Sequence, residues 1–376
     1  MRAAEPLKLG IFSDYAEEGW PSMDLTAELL HDALARGAVP GLASHFVRPA
    51  FRARLSRVFG AGKWMWNGDR LLNRMWDYPR LVAARAPDLD LYHVADHSYA
   101  HLVHSLPPHR TGVYCHDIDL FRSLARPELR PAWFRRMARY VADGMAKASV
   151  VFHSTMAVRA EIVRDGLCDP ARLVHAPYGI APEFVPQSKI SDRMPFVPVP
   201  PQTRFLLHVS SCIPRKRVDV LLDLFAELRR ADPELRLVQI GGEWSAQQRA
   251  QIEWHRMGGA IQQHRGLSRA QIADLYQRAQ LVLLPSEAEG FGLPVLEALA
   301  CGTTVVASDL PVLREVGGEA TIYLPAGDVA SWAAAVARLL QAPASAPNAA
   351  ARAAQAAKFS WTAHAKIIGE AYLRLL

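Results

Sequence analysis

Cysteine is scarce in this sequence. Four stand among 376 residues, Cys115, Cys168, Cys212 and Cys301, and no two of them lie close together. That spacing excludes a zinc ribbon or a CxxC redox pair and predicts buried free thiols in a reducing compartment. Long apolar runs are also missing, for none reaches the roughly 18 residues that a membrane-spanning helix needs. The run from Leu7 to Ser13 is too short for the core of a signal peptide, and Asp14, Glu17 and Glu18 follow it. The expectation is a cytoplasmic protein, with peripheral attachment to the inner face of a membrane left open.

What is present is an ordinary globular composition. Hydrophobic residues make up 50% and charged ones 21%, which excludes a disordered or fibrous chain. A chain of this length outgrows a single compact core, so two domains are expected. The formal charge of +6 favours acidic partners, whether phosphates, nucleotides, nucleic acid or an anionic membrane, without choosing among them.

Short apolar runs alternate with helical patterns along the first half. Leu7 to Phe12, Asp90 to Val94, Thr111 to Cys115, Ser149 to His153 and Leu173 to Ala176 read as buried strands, and Asp24 to Ala35 as a helix. Strands separated by helices predict a parallel sheet. Residues 186–202 carry five prolines, which disfavour regular structure and mark a linker. The pattern then resumes. Phe205 to Ser210, Leu235 to Ile240, Leu281 to Leu284 and Thr303 to Ala307 read as strands. Val218 to Arg230 and Ser268 to Ala279 read as helices, the second capped by Ser268. An Ala/Pro tract from Gln341 to Ala354 precedes a last helix near Thr362 to Leu375. The expected organisation is an α/β domain over 1–185, the linker over 186–202, and a second α/β domain over 203–359. Two such domains facing each other leave a cleft, and open α/β sheets bind ligands beyond the carboxyl ends of their strands.

One segment carries most of the functional information: Pro285-Ser286-Glu287-Ala288-Glu289-Gly290-Phe291-Gly292-Leu293-Pro294-Val295-Leu296-Glu297-Ala298-Leu299-Ala300-Cys301-Gly302. Pro294 suits the first turn of a helix and Gly302 the position after its end, which predicts a helix over Pro294 to Cys301. Gly290 and Gly292 allow a tight turn and close approach to a ligand. The amides from Phe291 to Leu296, Pro294 excepted, are expected to lack helical partners and to bind an anion such as diphosphate. Glu289 and Glu297 beside a phosphate make sense if each grips neutral hydroxyls, one set on a sugar and one on a ribose. The simpler alternative is a helix amino end with acids favoured by the macrodipole.

The string resembles that of glycosyltransferase family 4, retaining enzymes that include bacterial mannosyl- and glucosyltransferases and sucrose synthases. Glu289 and Glu297 match the family's pair of glutamates with seven residues between them. The resemblance implies a GT-B fold, with two Rossmann-like domains facing across a cleft and a C-terminal helix (360–376) crossing back to the first domain. It implies that Glu289 contacts the donor sugar and Glu297 the ribose. The amides of Phe291, Gly292 and Leu293 would then face the sugar and diphosphate, with Gly290 in the same loop. Pro214-Arg215-Lys216 resembles the family's diphosphate-binding segment, in which Lys216 is the first choice and either Arg215 or Arg217 supplies the arginine. A solvated basic turn is the alternative. His116-Asp117, after a strand, resembles the family's histidine at the catalytic centre, against the alternative of a satisfied structural histidine. Gly19 is what remains of a flexible diglycine loop, now beside Trp20 and Pro21. Tyr178 stands where asparagine is common. Gly242 lies at a strand end where it bounds a nucleobase pocket, or is an ordinary turn. Asp117-Ile118-Asp119 has the spacing of a metal motif but sits beside His116 rather than at the donor loop, so no metal and no cofactor beyond the donor are expected.

Between His45 and Ala86 nine cations face two acids, with Trp64, Met65, Trp66 and Trp76 interleaved. Such a mixture suits an anionic membrane, a lipid-phosphate acceptor or a carbohydrate acceptor. The alternative is a solvated helix with its tryptophans in the core. No nucleic-acid motif accompanies it. The expected function is retaining, metal-independent transfer of a hexose from a nucleotide-sugar to a glycan, lipid-linked or small-molecule acceptor. A non-catalytic nucleotide-sugar-binding or scaffold protein and a sugar-nucleotide epimerase are the alternatives.

Overall fold

The computed structural model describes residues 5–60, 62–186 and 199–376. Most of the proline-rich linker lies outside them. The chain divides into two compact units, Met1–Gly179 with Ser360–Leu376, and Ile180–Phe359.

The first unit is built on six parallel strands: β1 (Leu7–Phe12), β2 (Leu42–Val47), β3 (Leu91–Val94), β4 (Thr111–Cys115), β5 (Val150–His153) and β6 (Leu173–His175), in the order β2-β1-β3-β4-β5-β6. Every residue of β3, β4 and β5 is buried, which is why these runs are continuously apolar rather than alternating. Edge strand β2 reads Leu-Ala-Ser-His-Phe-Val and is only partly buried. Its mixed pattern hides it from periodicity. The helix after β1 spans Pro21–Ala35, three residues earlier than its apolar pattern suggests, with proline in its first turn. The C-terminal helix Trp361–Leu373, capped by Ser360, belongs to this unit. Its Tyr372 hydroxyl donates to the Tyr92 carbonyl at 2.9 Å and lies 3.0 Å from His93 Nδ1, tying the helix to β3.

The second unit holds β7 (Phe205–Ser210), β8 (Arg236–Gly241), β9 (Ile261–His264), β10 (Leu281–Leu284), β11 (Val305–Ser308) and β12 (Ile322–Leu324), in the order β12-β11-β10-β7-β8-β9. The helix Val218–Ala231 buries Val218, Leu221, Leu222, Phe225 and Leu228, the face its periodicity marks. Each such side chain stabilises the fold by about 1.5–3 kcal/mol relative to exposure. Ser268 caps Arg269–Arg278 in a reciprocal box with Gln271, and Ser245 does the same with Gln248 for Ala246–Trp254. Within the Ala/Pro tract, Asn348 caps a helix over Ala349–Ala356. All four cysteines are buried and unpaired.

The basic stretch folds into helices Leu55–Phe59, Lys63–Leu72 and Tyr78–Arg85, with a π turn over Asn73–Asp77 joining the last two. Only part of its aromatic content faces inward. Trp66 packs on Phe51 with ring centres 4.6 Å apart, whereas Trp64 and Trp76 are exposed.

Candidate active site

In the second unit the chain runs from β7 outward through β8 and β9, then returns to place β10 against the other side of β7. That reversal is a topological switch point, where loops leaving adjacent strands diverge and open a crevice. The loops after β7 and β10 carry the residues singled out above. They are laced together by the Glu287 amide donating to the Arg215 carbonyl at 2.9 Å and by Arg215 Nη1 donating to the Ala288 carbonyl at 3.0 Å.

This lacing brings Lys216 onto Glu289. Lys216 Nζ donates to both carboxylate oxygens at 2.7 Å, and the Ser286 hydroxyl donates to Oε1 at 2.7 Å. Arg215 Nη1 lies 3.8 Å from Glu289 Oε2. The Glu289 and Lys216 side chains are only 6% and 11% exposed, so removing either leaves the other a buried group short of its partner. Burial alone would raise the Glu289 carboxyl, but the Lys216 ammonium, Arg215 and the Ser286 hydroxyl outweigh it and hold it below the usual carboxylate range. Arg217 does not join them. It begins the next helix in a left-handed conformation (φ 47°), and its guanidinium is held by Asp219 at 2.9 Å. Arg215 is therefore the arginine beside Glu289. Behind the cluster, His208 on β7 is fully buried, and burial together with the Lys216 charge pushes it down to about 3.

The helix after β10 spans Leu293–Ala300, beginning one residue before the expected start, with Pro294 in its first turn and Gly302 left-handed after its end (φ 84°). Gly292 precedes it at φ 94°, and a Cβ there would stand 2.6 Å from Leu313 Cδ2. Any side chain there would strain the backbone and displace Leu313. The expectation that the amides through Leu296 are unengaged is corrected. Val295 and Leu296 both reach the Gly292 carbonyl, at 2.9 and 3.4 Å, because the left-handed cap turns that carbonyl into the first turn. Phe291, next to Gly290, is buried edge-on to Phe359 with centroids 5.8 Å apart.

Glu297 sits one turn into this helix and forms a second cluster. Its Oε2 accepts a hydrogen bond from the Tyr276 hydroxyl at 2.9 Å. Burial pushes its carboxyl up to about 7, against a smaller pull downward from Tyr276 and Arg269. Gly242 follows β8. Its carbonyl accepts from Gln263 Nε2 at 2.7 Å, and a Cβ on it would lie 2.5 Å from the Cys212 nitrogen, so close backbone packing accounts for the glycine. The loops after β8 and β9 are bridged by Arg265 and Glu243 at 2.5 Å.

In the first unit, His116 follows β4 and is buried. Its Nε2 donates to the Ala95 carbonyl at 2.7 Å, and Nδ1 receives the Tyr178 hydroxyl. Burial, with His97 adding to it and Asp96 opposing, lowers its proton affinity, so the ring is neutral and both its nitrogens are engaged. This is the arrangement of a satisfied histidine. Tyr178, the residue in place of the common asparagine, makes it so. Asp117 Oδ1 accepts the Asp119 amide at 3.0 Å and lies 3.8 Å from His97 Nε2, and Asp119 pairs with Arg122 at 3.0 Å. Gly19 ends the turn Ala16–Glu18 in a left-handed conformation (φ 71°). The Glu18 side chain behind it is gripped by Arg70 and Arg74, each at 3.3 Å.

Residues 191–358 match the family model of glycosyl transferases group 1. That segment is most of the second unit, and over it the chain is similar to group 1 glycosyl transferases. Among curated proteins it is 34% identical over 243 residues to the D-inositol 3-phosphate glycosyltransferase of Kineococcus radiotolerans, covering 59% of this chain and 56% of that one. It is 29% identical over 262 residues to the O-antigen chain mannosyltransferase B of Escherichia coli, covering 65% of each. The match thus spans between about half and two thirds of those relatives' lengths. The sucrose-phosphate synthase of Thermosynechococcus elongatus superposes with a TM-score of 0.76 at 18% identity, over 98% of this chain and 99% of that one. Anabaena HepE, solved with UDP and glucose, gives 0.68 at 16%, over 97% and 98%. At these identities the likeness concerns the fold, which is the two-domain GT-B architecture. The matched segment contains the Lys216–Glu289 and Glu297–Tyr276 clusters. His208 and Tyr276 escaped sequence reasoning, since a histidine inside a strand and a tyrosine inside a helix carry no spacing signal; Ser286 stood in the donor string without a role of its own.

Proposed function

We propose that this protein transfers a hexose from a nucleotide-sugar donor to a hydroxyl of a glycan, lipid-linked or small-molecule acceptor, with retention at the anomeric carbon and without a metal ion. The observation that supports this reading is the buried Lys216–Glu289–Ser286 cluster with Arg215, set at the switch point of an α/β sheet beside a helix amino end. Arg215, Lys216 and the helix dipole stabilise the negative charge that develops on the departing diphosphate. Gly290 and the amides of Phe291, Gly292 and Leu293 line the same loop. An ionised carboxylate has about four acceptor positions. Lys216 and Ser286 leave some of those on Glu289 for sugar hydroxyls. Glu297, beside Tyr276, takes the ribose hydroxyls, and Gly242 borders the nucleobase. The bond from the anomeric carbon to the diphosphate oxygen breaks, and the acceptor oxygen bonds to the same face. The acceptor proton passes to the departing phosphate oxygen. His116 is the catalytic residue proposed from the first unit, a role that requires Tyr178 to release Nδ1. The relatives make a polyol phosphate and a growing glycan the first acceptors to try.

The test is thermal stabilisation by GDP-, UDP-, ADP- and dTDP-sugars, with Glu297→Ala as control, followed by NMR of the product. A donor at 100 times its Kd adds about 2.7 kcal/mol. One nucleotide class should stabilise the parent protein and not the variant, and a chelator should leave turnover unchanged. An inverted anomeric centre would refute retention. Stabilisation without turnover of any donor, across acceptors, would favour a binding protein instead.

A further inference from the structure

The helical stretch from Leu55 to Arg85 turns large apolar side chains into solvent. Trp64 is 85% exposed, Val58 72%, Phe59 71% and Trp76 58%, with Leu71 at 44% and Leu72 at 40%. The stretch is nevertheless well anchored on its inner side. Asp69 accepts the amides of Arg54, Leu55 and Ser56 at 2.8–3.0 Å, and Asn73 exchanges hydrogen bonds with the Arg52 backbone. The outward face is therefore a built surface. Trp64, Leu71 and Leu72 share one side of the helix by their spacing of seven and eight. A π turn has more residues per turn than an α-helix, so the one over Asn73–Asp77 keeps Trp76 in line five residues beyond Leu71.

The same stretch concentrates positive charge. Residues 45–86 contain nine cations and two acids, a net of +7 that exceeds the +6 of the whole chain. Both acids are used inward, Asp69 on backbone amides and Asp77 on Arg54 at 2.6 Å. Among the described residues Arg57, Lys63 and Arg85 have no acidic partner, and Arg80 stacks over Trp76 at 3.3 Å.

We propose that this face docks on the interfacial zone of an anionic phospholipid bilayer. Indole rings favour the headgroup level, aliphatic side chains the acyl boundary just below it, and cations the anionic surface. A second copy of this chain would bring like charges together, which opposes self-association through the face. A nucleic acid would use the cations and leave Val58, Phe59, Leu71 and Leu72 in water. The inference does not depend on the donor site.

Co-sedimentation of the full chain with phosphatidylcholine vesicles, with and without about 30% phosphatidylglycerol, tests it. Binding is expected to the anionic vesicles only and to weaken with salt. Lys63→Gln should lower the partition coefficient about fivefold. Trp64→Ala with Trp76→Ala should lower it by roughly tenfold or more. These side chains are exposed, so melting without vesicles and stabilisation by the donor should be unchanged. That separates a failure here from a failure of the glycosyl-transfer reading. Equal binding of the double tryptophan variant, or no binding to anionic vesicles, overturns the proposal. So does a concentration-dependent dimer, or an RNA complex, that forms through this face while vesicles are ignored.

Discussion

Glu289 keeps its charge because Lys216 faces it, and that dependence is open to a double-mutant cycle. Lys216→Met strands a buried carboxylate and should destabilise the second unit by about 3–5 kcal/mol. Adding Glu289→Gln should recover most of that loss, since the stranded charge is gone. Activity should stay down in both variants, by roughly a hundred- to a thousandfold in kcat if Lys216 stabilises the leaving diphosphate. Chemical denaturation and steady-state kinetics read the two effects separately, and an additive double variant would refute the coupling. Glu297 makes a different claim. The folded protein holds its proton up to about pH 7, whereas an unfolded carboxyl releases it near 4.5. Between those values the folded state binds the extra proton, so this group's contribution to stability falls as pH rises through about 7. Glu297→Gln should remove that slope. Donor affinity should run the other way in the parent protein, rising as the carboxylate forms, and be flat in Glu297→Gln. Calorimetry and donor titration across pH 5–8 would show both, and a pH-independent difference would sink the assignment. The two glutamates and Lys216 were legible in the sequence because a loop motif preserves their order and spacing. Tyr276 acquires meaning only when another helix brings the Glu297 carboxylate to it, whereas Ser286 meets Glu289 within its own loop.

At the scale of elements, the helix Leu293–Ala300 shows how local rules and tertiary packing divide the work. Proline near the first turn and glycine after the last bracket it correctly to within a residue. Gly292 is held to glycine by its left-handed backbone and further by Leu313, which arrives from a different helix. Gly292→Ala should therefore cost about 1–3 kcal/mol of backbone strain, plus displacement of Leu313. It should also weaken donor binding, because the cap sets the direction of the loop amides. If urea unfolding and donor stabilisation were both unaffected, the left-handed cap would not be a constraint. Capping by Ser268 was legible because serine and a glutamine three residues on bond only to their own helix end. β2 was not legible, since a half-exposed edge strand has no clean period.

Acid should act unevenly on the molecule. In the first unit burial pushes His93 to about 3 and His101 and His364 to about 4, and in the second it pushes His208 to about 3. Unfolded histidines take up protons near 6.5, so each of these groups stabilises its unit at neutral pH and loses that contribution as pH falls below 6.5. Burial, and then Asp96, raises the Asp14 carboxyl in the first unit, as burial raises Glu297 in the second, and these two work in the opposite sense. Among the described residues the first unit carries three strongly lowered histidines and His116 besides, the second only His208 and a less buried His264. Acid should therefore cost the first unit more, each net proton taken up on unfolding being worth about 1.4 kcal/mol per pH unit. Hydrogen exchange at pH 7 and pH 5 should show protection lost first around β3, β4 and the C-terminal helix. Equal loss around β7 and β10 would contradict it.

By itself the sequence determined two α/β units, most of their strands and the donor loop with its two glutamates, because these depend on hydrophobic period and short-range spacing. It also marked a cationic, tryptophan-bearing stretch. Only the tertiary structure decided which way those tryptophans face, since a helix with apolar residues on both sides has no period that tells core from solvent. Only the tertiary structure decided that Arg215 rather than Arg217 lies beside Glu289, because a left-handed residue turns one guanidinium away. The same holds for the two nitrogens of His116, engaged by a carbonyl and a tyrosine that lie 21 and 62 residues away in the chain. Partners at that separation are chosen by the sheet that gathers the strand ends, and no local pattern records the choice.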